Sequence, residues 1–204
     1  MIKKIFVLLA FLSIFKIHSQ EIFLQKGKNI TLYDFKSANG DSDLDFRSRG
    51  GDFYELGYNY KIKDSKFSYL ASITYNQFNA AASNGVKIYS WETSYLGVQN
   101  MITYSFFEFD NEIEIILKAG FNTATIVRGE QFNDLVYYNI KNQEEFSGIL
   151  LQPILGLNAQ YTLTEKIKLS LGYNFSKAFN VSNTSDEKIT FNTNQIQFGI
   201  YFPL

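Results

Sequence analysis

The sequence has no cysteine, and only two prolines, one histidine and one tryptophan among 204 residues. Each scarcity removes something. Without Cys there is no disulfide framework and no thiolate metal site, and the lipoprotein route of membrane attachment is closed. The single histidine, His18, sits close to the amino terminus. The chain beyond it therefore lacks the usual zinc ligands and the usual general base. Long apolar runs are missing too. Ile5 to Phe15 is the one uncharged apolar stretch, and it is shorter than the roughly 20 residues a membrane-spanning helix needs.

That stretch follows Lys3 and Lys4 and precedes a polar segment, Lys16 to Gln20, with Ser19 as a small residue before a cut. The layout is that of a secretory signal peptide over residues 1–19, leaving a mature domain over 20–204. Removing 1–19 takes away Lys3, Lys4 and Lys16 of the 19 basic residues and none of the 20 acidic ones, so the mature net charge is about −4. That balance argues against a nucleic-acid partner.

What the chain does have is aromatic residues, 14 Tyr and 20 Phe, set in segments of period-two alternation. Such spacing gives a strand two unlike faces. Tyr54, Leu56, Tyr58, Tyr60 and Ile62 oppose Phe53, Glu55, Gly57, Asn59 and Lys61. Segments 67–77, 112–121, 151–161, 167–176 and 195–202 repeat the pattern, for example Ile167, Leu169, Leu171, Tyr173 and Phe175 against Lys168, Ser170, Gly172, Asn174 and Ser176. Six charges lie inside these six segments: Glu55, Lys61, Glu112, Glu114, Lys118 and Lys168. All six fall on the polar face. A bilayer would enforce that separation, since a Lys or Arg facing lipid near mid-membrane costs roughly 2–4 kcal/mol. Two further segments alternate less cleanly. Asn100 interrupts 94–106, and Asp34 shares the phase of Ile30 and Leu32 in 28–36.

The total is eight strands, and their connections alternate in length. Lys63-Asp64-Ser65-Lys66, the Glu108-Phe109-Asp110 region and Thr162-Leu163-Thr164-Glu165 are tight turns. The connections at 37–51, 78–87, 123–147 and 177–190 are long. The apolar content of 123–147, including Phe132, Leu135 and Tyr137, predicts strands continuing beyond a membrane. Tyr60, Phe67, Phe106, Phe107, Phe109, Tyr161 and Phe202 crowd the short-turn ends as an interfacial girdle does. The expectation is an all-β chain, an eight-stranded antiparallel up-and-down transmembrane β-barrel in an outer membrane with both termini periplasmic. Periodicity alone leaves a soluble barrel of inverted parity as the alternative; the girdle, the loop lengths and the charged narrow interior favour the membrane.

Tyr95-Leu96-Gly97-Val98 with Tyr104, Lys118-Ala119-Gly120-Phe121, Leu155-Gly156-Leu157 with Tyr161, and Gln197-Phe198-Gly199-Ile200 resemble the small outer-membrane β-barrel domain family of PorT-like and OmpA-like proteins in Gram-negative bacteria. The chain departs from that pattern at Gln99, where the family often has proline, and at Pro203-Leu204, where a final aromatic is common. The resemblance implies a fold and a compartment, and it brings no catalytic residues.

The chemistry available is correspondingly thin. Glu112 and Glu114 are a conceivable carboxylate pair, but ion pairing with Lys61 and Lys168 in a narrow lumen is the better reading. Glu55 and Lys118 are expected to pair nearer the outside. Asp41, Asp43, Asp45 and Asp52 have the rough spacing of a calcium loop, yet Phe46 occupies the place of its required glycine. A solvated acidic loop fits better, with Arg47 and Arg49 placed to meet lipopolysaccharide phosphates. No enzyme activity, cofactor or metal is expected. The expected function is a closed anchor or scaffold whose loops serve binding, adhesion or envelope integrity. A narrow channel and an accessory role in a secretion or assembly machine are the alternatives. Expected partners are outer-membrane lipid, lipopolysaccharide and the barrel assembly machinery.

Overall fold

The computed structural model describes residues 20–36, 44–63, 65–85, 87–110, 112–133 and 136–204. The leader-like segment 1–19, Asp41, Asp43, Asp64 and Leu135 lie outside them.

Nine strands follow one another: β1 (Gln20–Lys36), β2 (Asp45–Lys61), β3 (Phe67–Ser83), β4 (Ile88–Phe109), β5 (Ile113–Asn133), β6 (Val136–Asn139), β7 (Leu150–Thr164), β8 (Ile167–Asn180) and β9 (Lys188–Pro203). Eight of them form one antiparallel sheet that runs β4-β3-β2-β1-β9-β8-β7-β5 and closes through β4–β5 pairing. β6 is a short addition to the far end of β5. Closure leaves no unpaired edge among the eight barrel strands, which no open sheet achieves. The register fixes the stagger. A walk across paired residues from Leu24 through Leu56, Ile73, Val98, Thr123, Leu151, Phe179 and Thr190 returns to β1 at Asp34, ten residues along the strand. Such a shear tilts the strands by roughly 40° and leaves an interior just wide enough for side chains.

The parity is settled by exposure. Leu155, Leu171, Ile73 and Leu56 are more than half exposed, while Glu55, Asn122, Gln152, Asn174 and Gln197 are buried. The apolar face therefore points out and the polar face in, which rules out the soluble alternative. Tyr60, Phe67, Phe106, Phe107, Phe109, Tyr161 and Phe202 all stand outward near the short turns.

Toward the long-loop end the polarity of the two faces reverses, while the alternation along β3 and β9 runs on unbroken. On β3 the inward series Ser72, Thr74, Asn76 becomes Phe78, Ala80, Ala82, while the outward series Ile73, Tyr75 becomes Gln77, Asn79. On β9 the outward Phe198 and Ile196 give way to Asn194 and Asn192, and the inward Gln197 and Gln195 to Phe191 and Ile189. The barrel thus has an apolar outer belt near the turns and an ordinary apolar core beyond it.

Two outward amides, Asn100 in the belt and Asn194 at its loop-side edge, are answered locally. The Tyr69 hydroxyl donates to Asn100 Oδ1 at 2.5 Å, and the Tyr173 hydroxyl donates to Asn194. The polar break at Asn100 is thereby compatible with a lipid-facing strand.

Gly57 marks a different constraint. Its inward side is occupied by the Phe23 ring, which stacks on Tyr201 at 4.9 Å. A Cβ there would lie 2.4 Å from Phe23 and 2.5 Å from Ser72 Cβ. Gly57→Ala is expected to destabilise the barrel by about 1–3 kcal/mol through overpacking. An unchanged midpoint in denaturant unfolding would contradict that packing.

Candidate functional site

The interior is filled in layers. At the turn end lies an open vestibule of about 340 Å³, lined by Glu21, Asn59, Lys61, Glu114, Gln160 and Lys168 among others. Lys168 Nζ donates to Glu21 Oε1 at 2.6 Å, and Asn59 Nδ2 donates to Glu21 Oε2 at 2.9 Å. Glu21 belongs to the part of β1 that alternation missed. Lys61 and Glu114 share the vestibule, but among the described residues neither makes an ion pair there. Glu112 does not join them. It falls in the turn before β5 and is exposed, because the strand begins at Ile113.

Above the vestibule the lumen is closed by hydrogen-bonded side chains. Glu55 is 2% exposed and accepts from Ser72 Oγ at 2.6 Å and from Gln99 Nε2 at 2.7 Å. Lys118 is also buried, but among the described residues no ion pair joins it to Glu55, contrary to the pairing expected from the sequence. The next layer links strands by amides. Thr74 Oγ1 donates to Asn122 Oδ1 at 3.2 Å, Asn122 Nδ2 to Gln152 Oε1 at 3.0 Å, and Gln152 Nε2 to Ser176 Oγ at 2.8 Å. On the opposite wall Gln195 Nε2 donates to Asn29 Oδ1 at 2.8 Å, and Asn174 Nδ2 to Gln195 Oε1 at 2.7 Å. Buried polar groups need such partners, and chains of them stiffen the wall.

A second closure caps the loop end. Tyr33, Phe78, Tyr95 and Phe191 fill the lumen, with Phe191 4.6 Å from Tyr33 and stacked on Phe78 at 5.3 Å. The chain after β6 folds back over this cluster and buries Ile140 and Phe146. Tyr95 Oη donates to the Phe146 carbonyl at 3.0 Å, and Asn180 Nδ2 holds the Glu144 carbonyl at 2.9 Å. Alternation along the strands could have revealed the cap, since Phe78-Ala80-Ala82 keeps the period and changes only the face.

Outside the cap is a cup of about 200 Å³ floored by Tyr33, Phe46, Trp91, Phe146 and Ile189 and rimmed by Gln131, Gln143, Glu145 and Glu187. Beside it the β5–β6 hairpin projects, carrying exposed Val136, Tyr137 and Tyr138. At its base Arg128 bonds Glu130 through two nitrogens, at 3.2 and 2.9 Å, and holds that carboxyl below its ordinary range. Segment 123–147 is thus strand as far as Asn133, then a short hairpin, then the cap. Of the acidic loop, Asp45 pairs with Arg47 at 3.5 Å and Asp52 with Lys28 at 2.6 Å. No cluster of metal-ligating side chains occurs among the described residues.

No family model and no curated protein sequence matches the chain. Solved structures do. Neisserial surface protein A superposes with a TM-score of 0.57 at 14% identity, covering 90% of this chain and 97% of that one. The outer membrane protein OprG of Pseudomonas aeruginosa gives 0.53 at 13% identity, covering 92% and 98%. The outer membrane protease OmpT of Escherichia coli gives 0.50 at 10% identity, covering 93% and 98%. At such identities the likeness is one of fold. That fold is the closed, antiparallel barrel of outer-membrane proteins, here built from eight strands with the apolar face outward.

Proposed function

We propose that the chain is a non-enzymatic outer-membrane protein: a closed barrel that anchors a binding face at its loop end. The carrying observation is the filling of the lumen, by the polar layers around Glu55 and around Asn122 and by the aromatic cap under Phe146. A barrel so filled supplies no solute path, so the surfaces left for function are its outer ends. On this reading both termini face the periplasm, the cup and the β5–β6 hairpin face outward, and the surrounding partners are outer-membrane lipid and lipopolysaccharide. Assembly would use the barrel insertion machinery. The narrower PorT-like or OmpA-like kinship belongs to the same proposal.

Because fold likeness extends to a protease, it leaves activity undecided. The non-enzymatic reading is supported by the sequence beyond His18, which has neither histidine nor cysteine. The buried carboxylate Glu55 is taken up by Ser72 and Gln99.

Trimming the hairpin between Gln131 and Tyr138 should leave the barrel inserted, with normal heat-dependent gel mobility. In a strain lacking the protein, the trimmed chain should fail to restore the binding or envelope phenotype that the intact chain restores. Full restoration by the trimmed chain would contradict the loop-end assignment.

A further inference from the structure

We infer that the outer wall carries a binding notch for one lipid whose headgroup phosphate leaves it net negative, built on Lys26 and Lys28. The inference rests on the outer-membrane reading above and adds a ligand and a site to it.

β1 places its even-numbered residues outward: Ile22, Leu24, Lys26, Lys28, Ile30 and Leu32. Two ammonium groups therefore interrupt a lipid-facing stripe, and Asp52 of β2 stands level with Lys28 on the same outer face. Around them the polarity is graded by the register. Leu24 lies between Leu56 and Ile200, Lys26 between Tyr54 and Phe198, and Lys28 between Asp52 and Ile196. Ile30 then lies between Gly50 and Asn194. Leu24, Leu56 and Ile200 bound the two lysines toward the turn end, and toward the loop end Ile30 is flanked by a glycine and an amide. Gly50 leaves open space on that side, since a Cβ there would meet only the Asn29 carbonyl, at 4.0 Å.

The charges do not cancel. Asp52 takes Lys28 at 2.6 Å, but Lys26 makes no hydrogen bond or ion pair among the described residues. Its ammonium rests over the Tyr54 ring, 5.4 Å from the centroid. The polar amides elsewhere on the outer face are treated differently, Asn100 and Asn194 each receiving a tyrosine hydroxyl. One uncompensated positive charge thus remains on a surface that acyl chains cover. Charged groups at membrane depth mark functional sites and call for a partner. A phosphate drawn into the notch from the headgroup layer supplies the missing negative charge, with Lys28 beside it and the acyl chains running down over Leu24, Phe198 and Ile200.

The test is native mass spectrometry of the whole protein, purified in detergent and titrated with phosphatidic acid or with phosphatidylcholine of the same acyl chains. One phosphatidic acid should be retained about tenfold more strongly than phosphatidylcholine, the order expected for two lysines meeting an anionic headgroup. Lys26→Gln should lose most of that preference. Asp52→Asn, which frees Lys28, should strengthen it severalfold, an outcome that misfolding cannot imitate. Equal retention of the two lipids, or an unaltered preference in Lys26→Gln, would overturn the site. So would saturation by inorganic phosphate alone, which would mean that the notch takes a free anion. A barrel unable to insert into phosphatidylcholine vesicles would overturn the membrane reading itself, a failure distinct from absence of a lipid preference in an inserted barrel.

Discussion

Glu55→Ala is expected to lower the unfolding free energy of the barrel by about 3–5 kcal/mol, the summed cost of stranding two buried donors and a buried ammonium. Three things lose their counterpart at once. The Lys118 ammonium, in a site only 4% exposed, loses the nearest negative charge, and the Ser72 and Gln99 donors lose an acceptor at 2.6 and 2.7 Å. The converse experiment discriminates between burial and pairing as the cause. Glu55→Leu combined with Lys118→Leu removes both charges and should recover the part of the loss due to the stranded ammonium, the Ser72 and Gln99 donors accounting for the remainder. Denaturant unfolding of the vesicle-inserted protein measures both. A loss below about 1 kcal/mol in the single variant would mean that water reaches Lys118 freely, and that the lumen is wetter than its packing implies.

Phe191→Ala is expected to cost about 3–5 kcal/mol, the range for emptying a filled aromatic site. The ring is 1% exposed and touches Tyr33, Phe78 and Tyr95, at centroid separations of 4.6, 5.3 and 5.9 Å. No neighbour collapses easily into the space. Tyr33 is tied to the Phe78 carbonyl at 2.8 Å, and Tyr95 to the Phe146 carbonyl at 3.0 Å. Amide exchange should locate the damage. Protection should fall near the Tyr95–Phe146 contact while the belt strands below keep theirs. Uniform loss of protection would instead tie the cap to the stability of the whole barrel.

These two sites differ in how well the sequence announces them. Glu55 is visible because it interrupts neither period nor face, and so do Lys61, Glu114, Lys118 and Lys168. Their partners were harder to foresee. Lys168 bonds Glu21 rather than Glu114, since the pairing of β1 with β9 brings Glu21 to Pro203, and that of β8 with β9 brings Lys168 to Tyr201. Alternation could not supply Glu21, because Lys26 and Lys28 occupy outward positions and spoil the pattern over the first half of β1. Glu112 was placed one residue too far into a strand. The aromatic cap was hidden for another reason. A reading that assigns polar residues to the interior throughout cannot see the interior turn apolar where the wall leaves the membrane. The change of face at Gln77-Phe78 on β3 and at Asn194-Thr193 on β9 is the signal that locates that boundary.

The double filling, polar and aromatic, should shut the lumen to ions. Single-channel recording of the folded barrel in a planar bilayer decides this, with heat-dependent mobility confirming insertion. The intact chain should show no steady conductance. A stable open level, reproduced from one insertion to the next, would contradict it and make the vestibule between Glu21, Lys61 and Glu114 the mouth of a channel.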